Sequence, residues 1–260
     1  MQPKTEEFLN FLLWSAEQLM RPSLRNVGES YESWAYRKGL MRTVTTLERR
    51  RFVERDPSGQ DDRVVRLTGR GRLHALGGRD PQAEWSREWD GKWRLVLFDI
   101  PNSQNNRRQK LRRYLRDRGF GCLQNSVWIR PDSLEPERKA LAGGHINVES
   151  LILMEARPSA GETDEDIVAG AWDFAAINRR YERHLEILNK WPAGPLKPET
   201  AANALLHWAK AEREAWLAAV NADPLLPETI LPENYLGRTA WRKRVEVLKA
   251  AGRQIRTFKP

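Results

Sequence analysis

An α+β chain in three parts is what the sequence predicts, and three observations predict it. Residues 1–85 read as helices followed by two short β-rich runs around a Gly-containing turn. Residues 86–158 alternate apolar runs with amphipathic stretches in the order β-α-β-β-α-β. Residues 159–260 carry long helical patterns interrupted by prolines. At 260 residues the chain exceeds the roughly 100 to 200 typical of one domain, so more than one compact unit is expected.

In the first part, Thr5 can cap a helix whose apolar positions Phe8, Leu9, Leu12, Leu13, Ala16 and Leu19 recur at helical spacing until Arg21-Pro22 stops it. A second helix starts at Ser30–Ser33, runs through Trp34 and Tyr36, and ends at Gly39. A third spans about Leu40 to Arg51, with Leu40, Val44 and Leu47 facing inward and Lys38, Arg42, Thr45, Thr46 and Arg49 facing out. "FVERD" and "RVVRLT" then flank "PSGQD" as a hairpin. Three helices and a hairpin are the order of a winged helix-turn-helix, which places residues 1–85 as a DNA-binding domain. Its third helix offers Arg42 and Arg49 for guanine edges or phosphates, and Thr45 and Thr46 for short hydrogen bonds or a thymine methyl. Lys38, Arg50, Arg55 and Arg63 are the expected phosphate contacts. A basic, polar helix face is also what any solvated helix shows, and the wing tip carries Asp56, Asp61 and Asp62, which repel a minor groove. "VERDPSGQDDRVVRLTGRGR" resembles the wing and the "LT..G" helix start of the MarR and PadR groups of bacterial winged-helix regulators.

The middle part, residues 86–158, begins with "KWRLVLFDIP", an apolar run with little alternation, as a buried strand requires. Pro101 closes it and Asn102-Ser103 are the expected cap of a helix over about 103–118, which buries Leu111, Tyr114 and Leu115 and ends at Gly119. "FGCL", "SVWIRP", a helix near 133–142 and "VESLILMEA" complete a ferredoxin-like β-α-β-β-α-β domain. Residues 159–260 are expected as a mostly helical domain for dimerisation and effector binding. Its helices span about 164–190 and 198–221, with Trp172, Phe174, Ile177, Tyr181, Leu185 and Leu188 along one and Ala204, Leu205, Trp208, Ala215 and Trp216 along the other. Aromatic stripes at that spacing are core before they are a ligand box.

Charge narrows the function. Forty-four Lys and Arg against 35 Asp and Glu give +9 and a pI near 9.9. Counted by part, the excess is +3, +5 and +1, so it lies in the first two. Such a balance favours a polyanionic partner. The single cysteine, Cys122, can form neither an internal disulfide nor a Cys-based zinc site, and His74, His145, His184 and His207 make no ligand pair at helical spacing. No cofactor and no metal are expected. No run of about 18 apolar residues exists and no signal peptide is read, so no membrane is expected and the location is taken as cytoplasmic.

Asp99 carries the alternative. "FDIPNSQNNRRQKLRRYLRDRGFGCLQNSVW" is similar to the CRISPR-associated Cas two proteins, and Asp99 matches the aspartate that the resemblance associates with a metal-dependent nuclease site. Two-metal hydrolysis needs several carboxylates around cations about 3.5 to 4 Å apart, and this stretch supplies one. Turning the chain or bonding helix N-terminal amides is the more economical role.

Three features coincide: the winged-helix order, the central "WDGKWRLVLFDIP…GFG.L…VWIRP" and "ADPLLPETILPENYLGRTAW" near the end. Together they resemble the PaaX family of bacterial transcriptional regulators. The resemblance implies a non-enzymatic repressor that acts as a homodimer on a double-stranded DNA operator and answers to an acyl-coenzyme A effector. Arg107, Arg108, Arg112 and Arg116 are the expected contacts to the effector's phosphates, although the same side chains suit DNA or solvent alone. A metal-dependent nuclease or nucleic-acid-processing protein built on the middle part is the alternative function.

Overall fold

The structure is a computed structural model and describes residues 40–55, 65–142, 150–159, 161–194 and 199–256. The two helices expected before residue 40 lie outside the described residues. The described chain groups into two compact units. One contains residues 81–179 and 219–235; the other contains residues up to 80, 180–218 and 236 onward.

In the first of these units, a four-stranded antiparallel sheet is built from β3 (Trp93–Asp99), β4 (Gly121–Gln124), β5 (Val127–Arg130) and β6 (Ser150–Ala156), in the order β4-β5-β3-β6. Helices α4 (Asn105–Asp117) and α5 (Glu135–Ala142) follow β3 and β5, so the chain runs β-α-β-β-α-β. β3 is central: Val96 is opposite Trp128 of β5 and Leu153 of β6, and Leu95 is opposite Ile129 and Met154. Val96, Phe98 and Trp128 meet Leu111 and Leu115 of α4, with Ile100, Phe120 and Leu134, in one buried cluster. The opposite sheet face meets α6 (Asp164–Ala171) at Gly121, where an added Cβ would lie 2.6 Å from both Ala171 and the Trp172 ring. Glycine there lets helix and strand touch.

Asn102–Gln104 form a turn of 3-10 helix instead of capping α4, which starts one residue later with no side-chain cap. The single helix expected over 164–190 is two: α6, opened by a reciprocal Thr163–Asp166 capping box, and α7 (Phe174–Asn189). Trp172 between them is extended, its indole donates to the Gly119 carbonyl at 3.2 Å, and Asp173 accepts the Ala176 amide at 2.8 Å. A new N-cap and a long-range indole bond break the helix where periodicity alone continues it.

Residues 219–235 bring the "ADPLLPETILPENY" stretch to the same unit. Asp223, almost fully buried, accepts bonds from the Leu225 amide at 2.8 Å and from the Tyr235 hydroxyl, and that hydroxyl accepts the Trp85 indole N–H at 3.1 Å from α3 (Pro81–Trp85). Leu225 holds a positive φ of 52°, and its carbonyl accepts a bond from Arg87 at 2.5 Å. The prolines of this stretch therefore frame a hydrogen-bonded node.

In the other unit, α1 (Leu40–Arg49) leads to the antiparallel pair β1 (Val53–Arg55) and β2 (Val65–Leu67) and to α2 (Gly69–Ala75). The same unit holds residues 180–189 of α7, nearly all of α8 (Glu199–Val220) and α9 (Gly237–Arg256). Tyr181, Leu188, Leu205, Trp208, Trp216, Trp241, Val247 and Leu248 are buried there, and the Trp216 ring lies 5.4 Å from Trp241 and 6.2 Å from Tyr181. Trp208, Trp216 and Trp241 are core.

Three ionisable groups are fully buried among them. Glu212 Oε1 takes Arg244 Nε at 2.6 Å and His184 Nε2 at 2.9 Å, while the Arg244 guanidinium stacks 4.7 Å over the Trp216 ring. Burial pushes the Glu212 pKa up, but Arg244's charge and the His184 bond outweigh it and hold the carboxyl below its ordinary range. Its stabilising contribution is therefore complete above the unfolded value of about 4.3 and is lost as pH falls through the lower folded value. Glu212→Gln strands Arg244, so denaturation at neutral pH is expected to show a loss of about 3 to 5 kcal/mol. The variant's acid-unfolding limb is expected to be shallower than the native one.

Candidate nucleic-acid interface

Leu47 is completely buried and fixes how α1 is turned. At about 100° per residue, positions 42, 45, 46 and 49 fall on an arc away from it. Thr45 and Arg49 are exposed, Thr46 is half-buried, and Arg50, just past the helix, is exposed. Arg42 lies in α1 by its backbone, and Arg55 closes β1 opposite Val65; the side chains of both, and all of Lys38 and Arg63, fall outside the described residues.

The helix ends on a left-handed residue, Arg51, with φ 57°, and the Phe52 amide returns to the Leu47 carbonyl at 2.9 Å. Thr68 fastens this corner. Its hydroxyl donates to the Arg51 carbonyl at 2.7 Å and accepts the Gly71 amide at 3.0 Å, capping α2. A Cβ on Gly71 would sit 1.9 Å from the Phe52 carbonyl oxygen, so α2 can pass this close to the corner only with glycine there. The "LT..G" pattern thus has a physical basis: one threonine ties the helix end, the second strand and the next helix together, and the glycine admits their approach.

A second basic element is α4. It carries six cationic side chains, with Arg118 just past its end, and one acid, Asp117. Leu111 and Leu115 point to the core, leaving Arg107, Lys110, Arg113, Arg116 and Arg118 exposed and Arg108 and Arg112 half-buried. Arg107 donates to the Gln104 side chain at 2.9 Å and Arg112 to the Asn125 carbonyl at 2.9 Å. The four arginines weighed for effector phosphates all lie on this helix. Arg108, Arg112 and Arg116 follow one ridge at i, i+4 and i+8, and Arg107 is turned about 100° from Arg108 toward the other side of the helix.

Asp99 ends β3 opposite Ser150, exposed, and makes no side-chain hydrogen bond among the described residues. It does not cap α4, so of the two scaffold roles expected for it, bonding helix amides is corrected. Among the described residues, no three His, Cys, Asp or Glu side chains come together as a metal site. Sequence reasoning missed the buried Glu212–Arg244–His184 group and the Asp223–Tyr235–Trp85 node; the partners stand up to 150 positions apart and leave no local pattern.

With this geometry in place, comparisons with known proteins give a consistent result. The chain matches the model of the PaaX protein central Cas2-like domain over residues 86–168 and that of the PaaX-like protein C-terminal domain over residues 172–256. The transcriptional repressor PaaX of Escherichia coli (strain K12) is 27% identical over 191 residues, covering 69% of this chain and 56% of the relative, so the match spans little more than half of the relative's length. An uncharacterised protein of Mycobacterium tuberculosis, Rv0674, superposes with a TM-score of 0.49 at 19% identity, covering 96% of this chain and 95% of that one.

Because Asp99 is exposed and bonded to nothing among the described residues, Asp99→Ala is expected to change stability by no more than about 0.5 kcal/mol. Purified protein incubated with Mg²⁺ or Mn²⁺ and labelled duplex is expected to show no cleavage that this substitution removes.

Proposed function

The chain belongs to the PaaX family, and from that premise we propose that it is a sequence-specific DNA-binding transcriptional regulator, a repressor, with no enzymatic activity of its own. The observation that carries the reading is the exposed Thr45–Arg49–Arg50 edge of α1, held outward by buried Leu47 and by the Thr68 corner. In this reading residues 1–85 form the winged helix-turn-helix and α1 is its recognition helix. Residues 86–158 form the ferredoxin-like, Cas-two-like middle domain, and residues 159–260 pair two copies in the cytoplasm.

Roles divide by chemistry. Arg42, Thr45, Thr46 and Arg49 read base edges in the major groove, whereas Lys38, Arg50, Arg55 and Arg63 hold phosphates and set the register. Pairing two copies suits a palindromic operator whose half-sites lie about 34 to 36 Å apart. A small effector, an acyl-coenzyme A, favours a state of the homodimer that cannot engage both half-sites.

Selection of bound fragments from the native genome is expected to return a palindromic duplex. On it, Arg42→Ala and Arg49→Ala are each expected to lose about 1 to 3 kcal/mol and to relax base preference at one position per half-site. Failure of native protein to prefer any genomic fragment over random duplex overturns the reading. Titrating acyl-coenzyme A compounds into the operator complex is expected to raise the apparent Kd about 5- to 150-fold, a coupling of roughly 1 to 3 kcal/mol; unchanged affinity removes the effector from the proposal.

A further inference from the structure

The cations of the sheet unit divide into two populations. Most on strands and loops are neutralised: Arg87 reaches Asp132 at 2.7 Å, Arg130 reaches Asp132 at 3.0 Å and Glu137 at 3.3 Å, and both Lys92 and Arg94 reach Glu155, at 3.0 and 3.3 Å. Arg118, just past the end of α4, nears Glu137 at 3.8 Å. Arg107, Lys110, Arg112, Arg113 and Arg116 have no carboxylate in ion-pair range among the described residues. Five uncompensated charges thus follow one helix, whereas Arg138, Arg157 and Arg179, the unit's other cations without a carboxylate in range among the described residues, lie singly on other segments.

The other exposed side chains of the helix are three amides and one acid, Asp117. Asn105, Asn106 and Gln109 are exposed on the same outward side as Lys110, Arg113 and Arg116, opposite the Leu111–Leu115 stripe. Arg, Lys, Asn and Gln are the side chains that bond phosphate oxygens and sugars. The helix is 13 residues, about 20 Å long, and a duplex of that length carries on the order of a dozen phosphates. A coenzyme's few phosphates would occupy only a turn or two of this ridge.

We propose that α4 is a second DNA-contacting surface, gripping the phosphate backbone of duplex through Lys110, Arg112, Arg113 and Arg116 with no reading of base sequence. The proposal rests on the regulator reading but adds a site outside residues 1–85. Like charges aligned without counter-charges repel one another, and a polyanion relieves that repulsion while releasing its own condensed cations. Arg112, held by the Asn125 carbonyl, is the pre-oriented member of the set.

The test uses the full chain and a salt series. Lys110→Gln/Arg113→Gln/Arg116→Gln removes three exposed charges that make no contact among the described residues, so the thermal midpoint is expected to stay at the native value. On a long duplex containing the selected operator, the slope of log affinity against log salt is expected to fall by about 2 to 3, since each lost phosphate contact removes roughly 0.9. Affinity is expected to drop tenfold or more, while the preference for operator over random duplex stays native. Arg113→Lys/Arg116→Lys, which keeps the charge, is expected to keep the native slope.

A native slope in the triple variant overturns the proposal. So does a loss of operator preference without a change of slope, or a variant that binds DNA normally but no longer responds to acyl-coenzyme A or prefers single-stranded RNA less than native protein does. Should native protein select no genomic fragment, the regulator reading fails by itself, and the slope on random duplex still decides whether α4 grips DNA.

Discussion

Burial of Leu111 and Leu115 against Val96 and Phe98 decides what the middle of this chain presents to its surroundings. Two leucines four apart fix the rotation of α4, and every cation of that helix must then emerge on its flanks or its outer side. The same logic governs α1, where buried Leu47 turns Thr45 and Arg49 outward. In both helices apolar burial supplies the orientation, to which Arg112 of α4 adds a bond to the Asn125 carbonyl. A charge on such a face is free to be selected for what it binds.

The buried charges obey the opposite rule. Arg244 and Glu212 lose all contact with water, and each is tolerated only because the other, with His184 and the Trp216 ring, replaces the hydration it gave up. Arg130 is an intermediate case, shared between Asp132 and Glu137 and stacked 5.0 Å over Phe120. Counting arginines in the sequence cannot separate these populations. A guanidinium that holds a core together and one that waits for a phosphate look identical until their carboxylates are located in space.

This explains how much was legible. β3 was readable because its apolar run is continuous, Val96 and Phe98 being buried on one face and Leu95 and Leu97 half-buried on the other, and α4 was readable because Leu111, Tyr114 and Leu115 keep helical spacing between basic residues. Thr68 and Gly71 were readable as a helix start because capping is local. What depends on distant pairing was not. The break at Trp172 needs the Gly119 carbonyl, 53 residues away, and the node at Asp223 needs Trp85 through Tyr235. Of the eight residues proposed for DNA, Thr45, Thr46, Arg49 and Arg50 are described in full, and these stand on or beside the turned-out side of α1.

The division between α1 and α4 has a consequence for how operator choice evolves. Phosphate contacts raise affinity for every sequence equally, whereas base contacts raise it for one. A regulator that draws both from a single helix cannot change its recognition residues without also altering its hold on the backbone. If the charge that grips DNA sits on α4, positions 42, 45, 46 and 49 are released from that duty and can be exchanged to suit a new operator while total affinity is kept. The sequence already carries the imbalance this requires: an excess of +5 in residues 86–158 against +3 in residues 1–85. The part of the chain that holds the sheet therefore contributes more excess cation than the part proposed to read the bases.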